Sequence, residues 1–178
     1  FKRFLDEGKE LDHLLQQTRL VDTAIWQSLY AFQKDGVKSA INKIKAFQGC
    51  IIADSVGLGK TYEALAVIKY FELRNEKVLV LCPSKLRENW EIYPAYQAHR
   101  QNPFPQDRFG FTVLTHHDLS RTSGSSGRIN LGDFHWESFD LVVIDESHNF
   151  RNNSVGRPKE DGTLRRTRYQ RLMEDIIQ

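Results

Sequence analysis

The loop Val56-Gly57-Leu58-Gly59-Lys60-Thr61 constrains this chain more than any other feature, because an apolar run leads into it and a helix-forming run leads out. Backbone N–H groups around Gly57 and Gly59 can wrap an anionic phosphate, Lys60 can reach its outer oxygens, and the Thr61 hydroxyl can ligate a divalent cation at a helix N-terminus. Glycine at position 59 lets the backbone approach the anion and opens positive φ without strain. The spacing departs from the common phosphate-loop pattern only at its first position, where Asp54 replaces glycine. Phe47 to Ala53 reads as a buried strand, and Tyr62 to Arg74 as a helix with Ala64, Leu65, Val67, Ile68 and Phe71 on one stripe. The expected cradle is therefore Asp54, Ser55, Val56, Gly57, Leu58, Gly59, Lys60 and Thr61. Its bland alternative, a glycine-rich turn containing Gly-Lys-Thr by chance, does not call for the flanking strand and helix.

A nucleoside triphosphate held this way needs carboxylates for its magnesium ion and for the attacking water, and the chain supplies a pair. Phe139 to Ile144 is an apolar strand that runs into Asp145-Glu146-Ser147-His148. Adjacent acids at the end of a buried strand are costly unless a cation or donors compensate them. Asp145 is expected to hold Mg²⁺ with Thr61, and Glu146 to orient and deprotonate water, with Lys60 on the phosphates. Alone, the pair is equally consistent with capping the next helix.

Taken together, Gly57-Leu58-Gly59-Lys60-Thr61, Leu81-Cys82-Pro83-Ser84 and Asp145-Glu146-Ser147-His148 resemble the superfamily 2 helicases and translocases, most of all their SWI/SNF-type branch. Leu29 to Val37 is similar to that branch's upstream glutamine segment, and Ala53-Asp54 fits its habit of carrying Asp where other phosphate loops carry glycine. Thr115-His116-His117-Asp118-Leu119 stands where the family has a Thr-containing DNA-contact motif. Ser55, Val56 and Ser147 depart from the residues commonest there. The resemblance implies an α/β fold: a three-layer RecA-like P-loop NTPase domain, its mostly parallel sheet covered by helices on both faces. It implies ATP and Mg²⁺ as cofactors and duplex DNA as partner. Gln33 would contact the adenine edge and His148 would couple the ATP and DNA sites. Ser84, Lys85, Thr115 and His116 would touch the nucleic-acid backbone, although Ser84 and Thr115 are equally compatible with simple turn caps.

The resemblance also implies a second RecA-like lobe whose arginines complete the ATP site. The chain reads as the first lobe of a larger protein, with residues 1–19 as a helical extension and 20–178 as the lobe, and as nearly inactive alone. Rival readings are a motor subunit of a restriction or phage-defence system, a P-loop ATPase that does not act on nucleic acid, and an adaptor that binds nucleotide structurally. Intact Lys60, Asp145 and Glu146 disfavour the last.

With 178 residues, 40% hydrophobic and 27% charged, the composition is that of one globular domain. No apolar run is long enough for a membrane span, and the charged start Phe1-Lys2-Arg3 lacks the apolar core of a signal peptide. Cys50 and Cys82 fall inside expected strands and read as small buried hydrophobes rather than metal ligands. A reducing compartment follows, the cytoplasm or, in a eukaryote, the nucleus. The adjacent His116 and His117 have no partner ligands at metal-site spacing, so zinc is not expected.

A net charge of +2 does not announce an anionic partner. Arg151, Arg157, Lys159, Arg165, Arg166, Arg168 and Arg171 against Glu160 and Asp161 form either a phosphate-tracking surface or a solvated face. The remaining pattern predicts a helix over Phe4 to Gln17, docked or exposed, and helices from Trp26 to Phe32 and from Val37 to Lys45. Further on come strands over Lys77 to Cys82 and Phe109 to Leu114, a helix from Ser84 toward Tyr93, and a helix over Leu164 to Ile177. Arg121 to Gly132, rich in Ser and Gly, reads as a flexible surface loop.

Overall fold

Two packed layers on a parallel sheet follow directly from how β1 divides its side chains. The computed structural model describes residues 11–53, 59–97, 99–150 and 167–176. Strands β1 (Val78–Cys82), β2 (Thr112–Thr115) and β5 (Leu141–Ile144) form one sheet in the order β2-β1-β5, all parallel. All five residues of β1 are buried, as a central parallel strand requires. Val78, Val80 and Cys82 join one hydrophobic core and Leu79 and Leu81 another, the alternation that a pleated strand imposes.

The first face is covered by helices. Residues 11–17 (α1), α2 (Ala24–Ser28), α3 (Ala31–Phe47), α4 (Lys60–Glu72) and α5 (Arg87–Glu91) contribute Leu15, Ile25, Ile41, Leu65 and Trp90 to its core. Leu11 and Leu15 of α1 are buried there, and Asp12 pairs with Lys38 of α3 at 2.6 Å, so α1 is docked. The second face is covered by shorter pieces. These are the hairpin β3 (Ser125–Ser126) with β4 (Ile129–Asn130), tight turns carrying Leu119, Trp136 and Phe150, and α6 (Arg168–Arg171) continuing as a π-turn over Leu172–Ile176. The α/β RecA-like architecture expected from the sequence is thus present.

Several local expectations are corrected. Phe47 to Ala53 is not a strand: α3 runs on through Phe47, Gln48 ends it in the left-handed region at φ 60, and Ile51 is 83% exposed. Cys50 is therefore half-buried outside any strand, whereas Cys82 lies within β1. Helix α3 passes through Gly36 without a break, and Glu63 of α4 packs at this glycine, its Oε1 3.4 Å from the point a Cβ would take. Arg121 to Gly132 is a built hairpin rather than a loose loop, with Ser126 and Leu131 buried. Its serines and glycines serve turn geometry and a buried hydrogen bond, which composition alone does not separate from flexibility. The polar loop expected from Asn152 to Gly162 and most of the basic cluster lie outside the described residues.

One long-range contact sets the N-terminal layer. Asp107 accepts from the backbone N–H groups of Ala24 at 2.8 Å and Ile25 at 2.7 Å, placing a carboxylate on the N-terminus of α2.

Candidate nucleotide site

Chain direction points the two halves of the expected site toward the same end of the sheet. From Glu72 at the end of α4 the chain turns at once into β1, so α4 runs antiparallel to the strands it covers. The far end is pinned: Glu72 Oε1 accepts from Gly110 N at 2.8 Å, just before β2 begins, and Asp140 Oδ2 accepts from Lys77 N at 2.7 Å, just before β5 and β1 begin. Thirteen helical residues rise about 20 Å and five strand residues about 16 Å. This direction points the N-terminus of α4, with Gly59, Lys60 and Thr61, toward the carboxyl ends of the strands, the side on which Asp145 follows β5. Asp145 N donates to Leu81 O at 2.9 Å, which fixes that end of β5 against β1.

The described part of the cradle has the geometry of an anion seat. Gly59 caps α4 at φ 84, and the N–H groups of Tyr62 and Glu63 close the first turn onto Gly59 O at 2.8 and 3.3 Å. Gly59, as N-cap, has no side chain to cap the first turn. A Cβ on Gly59 would stand 2.5 Å from Gln33 Nε2, so a side chain there would have to displace the Gln33 amide. Gln33 is buried, and its Oε1 accepts from Tyr30 N at 2.9 Å. The amide is thereby held against Gly59. Thr61 is exposed on the first turn of α4 and Lys60 is half-buried. Asp54, Ser55, Val56, Gly57 and Leu58 lie outside the described residues. These groups suit a magnesium-bound triphosphate: a glycine-capped helix N-terminus, a lysine and a hydroxyl, with Asp145 at the end of β5 as the candidate carboxylate.

Asp145 is half-buried and takes a hydrogen bond from the Trp90 indole Nε1 at 2.9 Å. Glu146 follows at φ 53, the left-handed turn that carries its carboxylate out of the strand direction. Its Oε2 lies 3.0 Å from His148 Nδ1, and both side chains are about half exposed, at 46% and 52%. Asn149 donates from its backbone N and from Nδ2 to Glu146 O, at 3.1 and 2.9 Å, tying the turn together.

The four expected nucleic-acid residues separate into two classes. Ser84 and Lys85 are exposed just beyond β1. Thr115 and His116 are buried, at 6% and 4% exposure, and their side chains face inward. Thr115 donates from N and from Oγ1 to Asp118 Oδ2, both at 2.8 Å. Asp118 also accepts from Ser126 Oγ at 2.7 Å and from an Arg121 guanidinium N–H at 3.2 Å. Burial alone would raise the Asp118 pKa, but those donors outweigh it and hold the carboxyl below its ordinary value. A guanidinium N–H of Arg87 donates to the same Ser126 hydroxyl at 2.7 Å, and Arg87 Nε pairs with Glu91 at 2.8 Å. One polar chain therefore joins α5 to the turn after β2.

The His116 ring packs edge-on against Phe150, centroids 4.7 Å apart, and burial lowers its pKa although the backbone carbonyls of Leu81 and Asp145 oppose the shift. Arg171 donates to the carbonyls of Leu119 and Arg121 at 3.2 and 2.8 Å and covers the Trp136 ring, so this member of the basic cluster clamps the second face. Burial pushes the Cys82 thiol up to about 12, as expected of an inert core cysteine.

Residues 32–168 match the SNF2-related domain. The chain belongs to this family. The SNF2-related domain is 30% identical over 148 residues to SWI/SNF-related matrix-associated actin-dependent regulator of chromatin subfamily A-like protein 1 of Xenopus laevis, covering 78% of this chain and 14% of that protein. It is 29% identical over 143 residues to the DNA annealing helicase and endonuclease ZRANB3 of Mus musculus, covering 74% and 13%. Against the chromodomain-helicase-DNA-binding protein 1-like of Danio rerio it is 42% identical over 143 residues, covering 70% and 13%. The SNF2-related domain thus spans about a seventh of the length of these relatives.

Two features of the site were not read from the sequence. The Trp90–Asp145 bond joins residues 55 positions apart, and no local pattern announces it. Asp118 was visible as the acid three residues after Thr115, the spacing of a side-chain turn.

Proposed function

We propose that this chain is the ATP-binding lobe of an ATP-driven translocase or helicase on duplex DNA, residues 20–178 forming the lobe and 1–19 an N-terminal extension whose described part, residues 11–19, packs on it. The observation that supports the reading is chain direction: α4 starts with Gly59, Lys60 and Thr61 and leads into β1, which pairs parallel with β5, and β5 runs into the Asp145-Glu146 turn.

Mg-ATP, when bound, supplies the phosphoanhydride that is cleaved, with the metal spreading the charge of the leaving and transferred phosphates. Lys60 and the first N–H groups of α4 hold the phosphates and offset their negative charge. Thr61 and Asp145 would hold the magnesium ion. Among the described residues no group of three or more His, Cys, Asp and Glu is placed to hold a metal without help. Magnesium takes one or two protein ligands and completes its shell with phosphate and water. Glu146, steadied by His148 at 3.0 Å, orients a water and takes its proton. Gln33, held against Gly59, meets the adenine edge. Ser84 and Lys85 present exposed donors to a DNA backbone, while Thr115 and His116 shape the loop behind them from inside.

The relatives' names support the DNA partner: one is a DNA annealing helicase and another a helicase-DNA-binding protein. A second lobe supplying arginines to the ATP site, as fingers do in related enzymes at 10³- to 10⁵-fold in rate, leaves this lobe alone a poor ATPase. The test is Glu146→Gln in the complete protein. Nucleotide binding retained with DNA-stimulated turnover lost by about 10²-fold or more supports the assignment; normal turnover contradicts it.

A further inference from the structure

The Trp90 indole is the least expected member of the site. It is 4% exposed, seated in the first core with Phe111 edge-on at 6.2 Å and 82°, and its single donor is spent on Asp145 Oδ2 at 2.9 Å. A buried tryptophan needs an acceptor for its N–H, and here that acceptor is the carboxylate assigned above to magnesium. The ring itself has little freedom. Helix α5 is tied to the rest of the fold through the Arg87 bond to the buried Ser126 hydroxyl at 2.7 Å, and Arg87 pairs within the helix with Glu91 at 2.8 Å. The same segment opens, six residues before Trp90, with the exposed Ser84 and Lys85.

We propose that Trp90 is a positioning residue for Asp145: its indole N–H fixes the rotation of the carboxylate, so that the strength of magnesium binding depends on where α5 sits. Partners of this kind, bonded to a ligand rather than to the metal, fix ligand orientation and typically carry 10- to 100-fold of metal affinity. Because α5 follows directly from Ser84 and Lys85, a displacement of that segment is transmitted to one carboxylate oxygen through one hydrogen bond.

This inference rests on the nucleotide-site reading, and the experiment separates the two. Binding of a non-hydrolysable ATP analogue to the full chain is titrated with Mg²⁺ for the wild type and for Trp90→Phe, which keeps an aromatic ring and removes the donor. The expected result is unchanged metal-free analogue binding and a Mg²⁺ half-saturation raised about 10- to 100-fold. An identical Mg²⁺ dependence overturns the positioning role while leaving the site reading intact. A wild type that binds no analogue at all removes both.

If Trp90→Phe does not fold, the wild-type indole N–H resonances decide. The chain has three tryptophans, and Trp26→Phe and Trp136→Phe leave the Trp90 signal by elimination. Adding Mg²⁺ to the analogue complex is expected to move that signal most, and a signal that does not move overturns the proposal.

Discussion

The Gln33 amide stands where a side chain at position 59 would have to go: a Cβ on Gly59 would lie 2.5 Å from its Nε2. Gly59 is also at φ 84, a conformation that costs a non-glycine residue about 1–3 kcal/mol. Gly59→Ala is therefore expected to lose stability by at least that amount in urea denaturation and to weaken nucleotide binding by displacing Gln33. In the Gly59→Ala/Gln33→Ala pair the contact component returns and the backbone component does not, a non-additivity that a double-mutant cycle measures. Full additivity would show that the two residues do not meet.

Asp118 holds the turn after β2 through four donors, and its carboxyl is kept below its ordinary pKa by them against the opposing effect of burial. Asp118→Ala strands the buried Thr115 and Ser126 donors and is expected to cost about 3 kcal/mol or more. Since the folded pKa is depressed, the stabilisation is complete above the unfolded carboxylate value and is lost as pH falls through the folded one. The gap between wild type and variant in denaturant unfolding should narrow below about pH 4. A gap that holds constant into strong acid would contradict the charged hub.

His116 behaves with the same sign in a different window. Burial lowers its pKa, so the fold favours the neutral ring and stability declines as pH falls below about 6.5, where the unfolded chain takes up the proton first. In His116→Phe, which keeps the edge-on packing on Phe150, that decline should be absent. Unfolding free energies of the two proteins should run parallel at alkaline pH and diverge on the acid side. Parallel curves down to about pH 5 would show that the imidazole is not held neutral.

What the sequence made legible follows from where the signal was local. Strands β1 and β5 are unbroken apolar runs, and α4 begins at the Gly-Lys-Thr turn, so all three fall within a residue or two of expectation. Gly49 to Ala53 is equally apolar, yet its fate depends on a partner strand far along the chain. Helix α3, with Ile41 buried and Gln48 in the left-handed region, runs up to its first residues and leaves Ile51 exposed. Pairing is a long-range decision that a short apolar run does not encode. The site shows the same division. Lys60, Thr61, Asp145 and Glu146 are expected from two contiguous motifs. The inward turn of Thr115 and His116 came from Asp118 and Phe150, and the hold on Asp145 from Trp90, contacts that exist only once the sheet is assembled.

The central claim is that the α4 N-terminus and the Asp145-Glu146 turn form one magnesium-nucleotide site at the rim of the sheet. Calorimetric binding of a non-hydrolysable ATP analogue, with and without Mg²⁺, to the wild type, Lys60→Ala and Asp145→Ala tests it most directly. The account predicts binding that Mg²⁺ strengthens in the wild type, loss of binding under both conditions in Lys60→Ala, and metal-free binding without the Mg²⁺ enhancement in Asp145→Ala. Wild-type binding and an intact Mg²⁺ enhancement in both variants would contradict it.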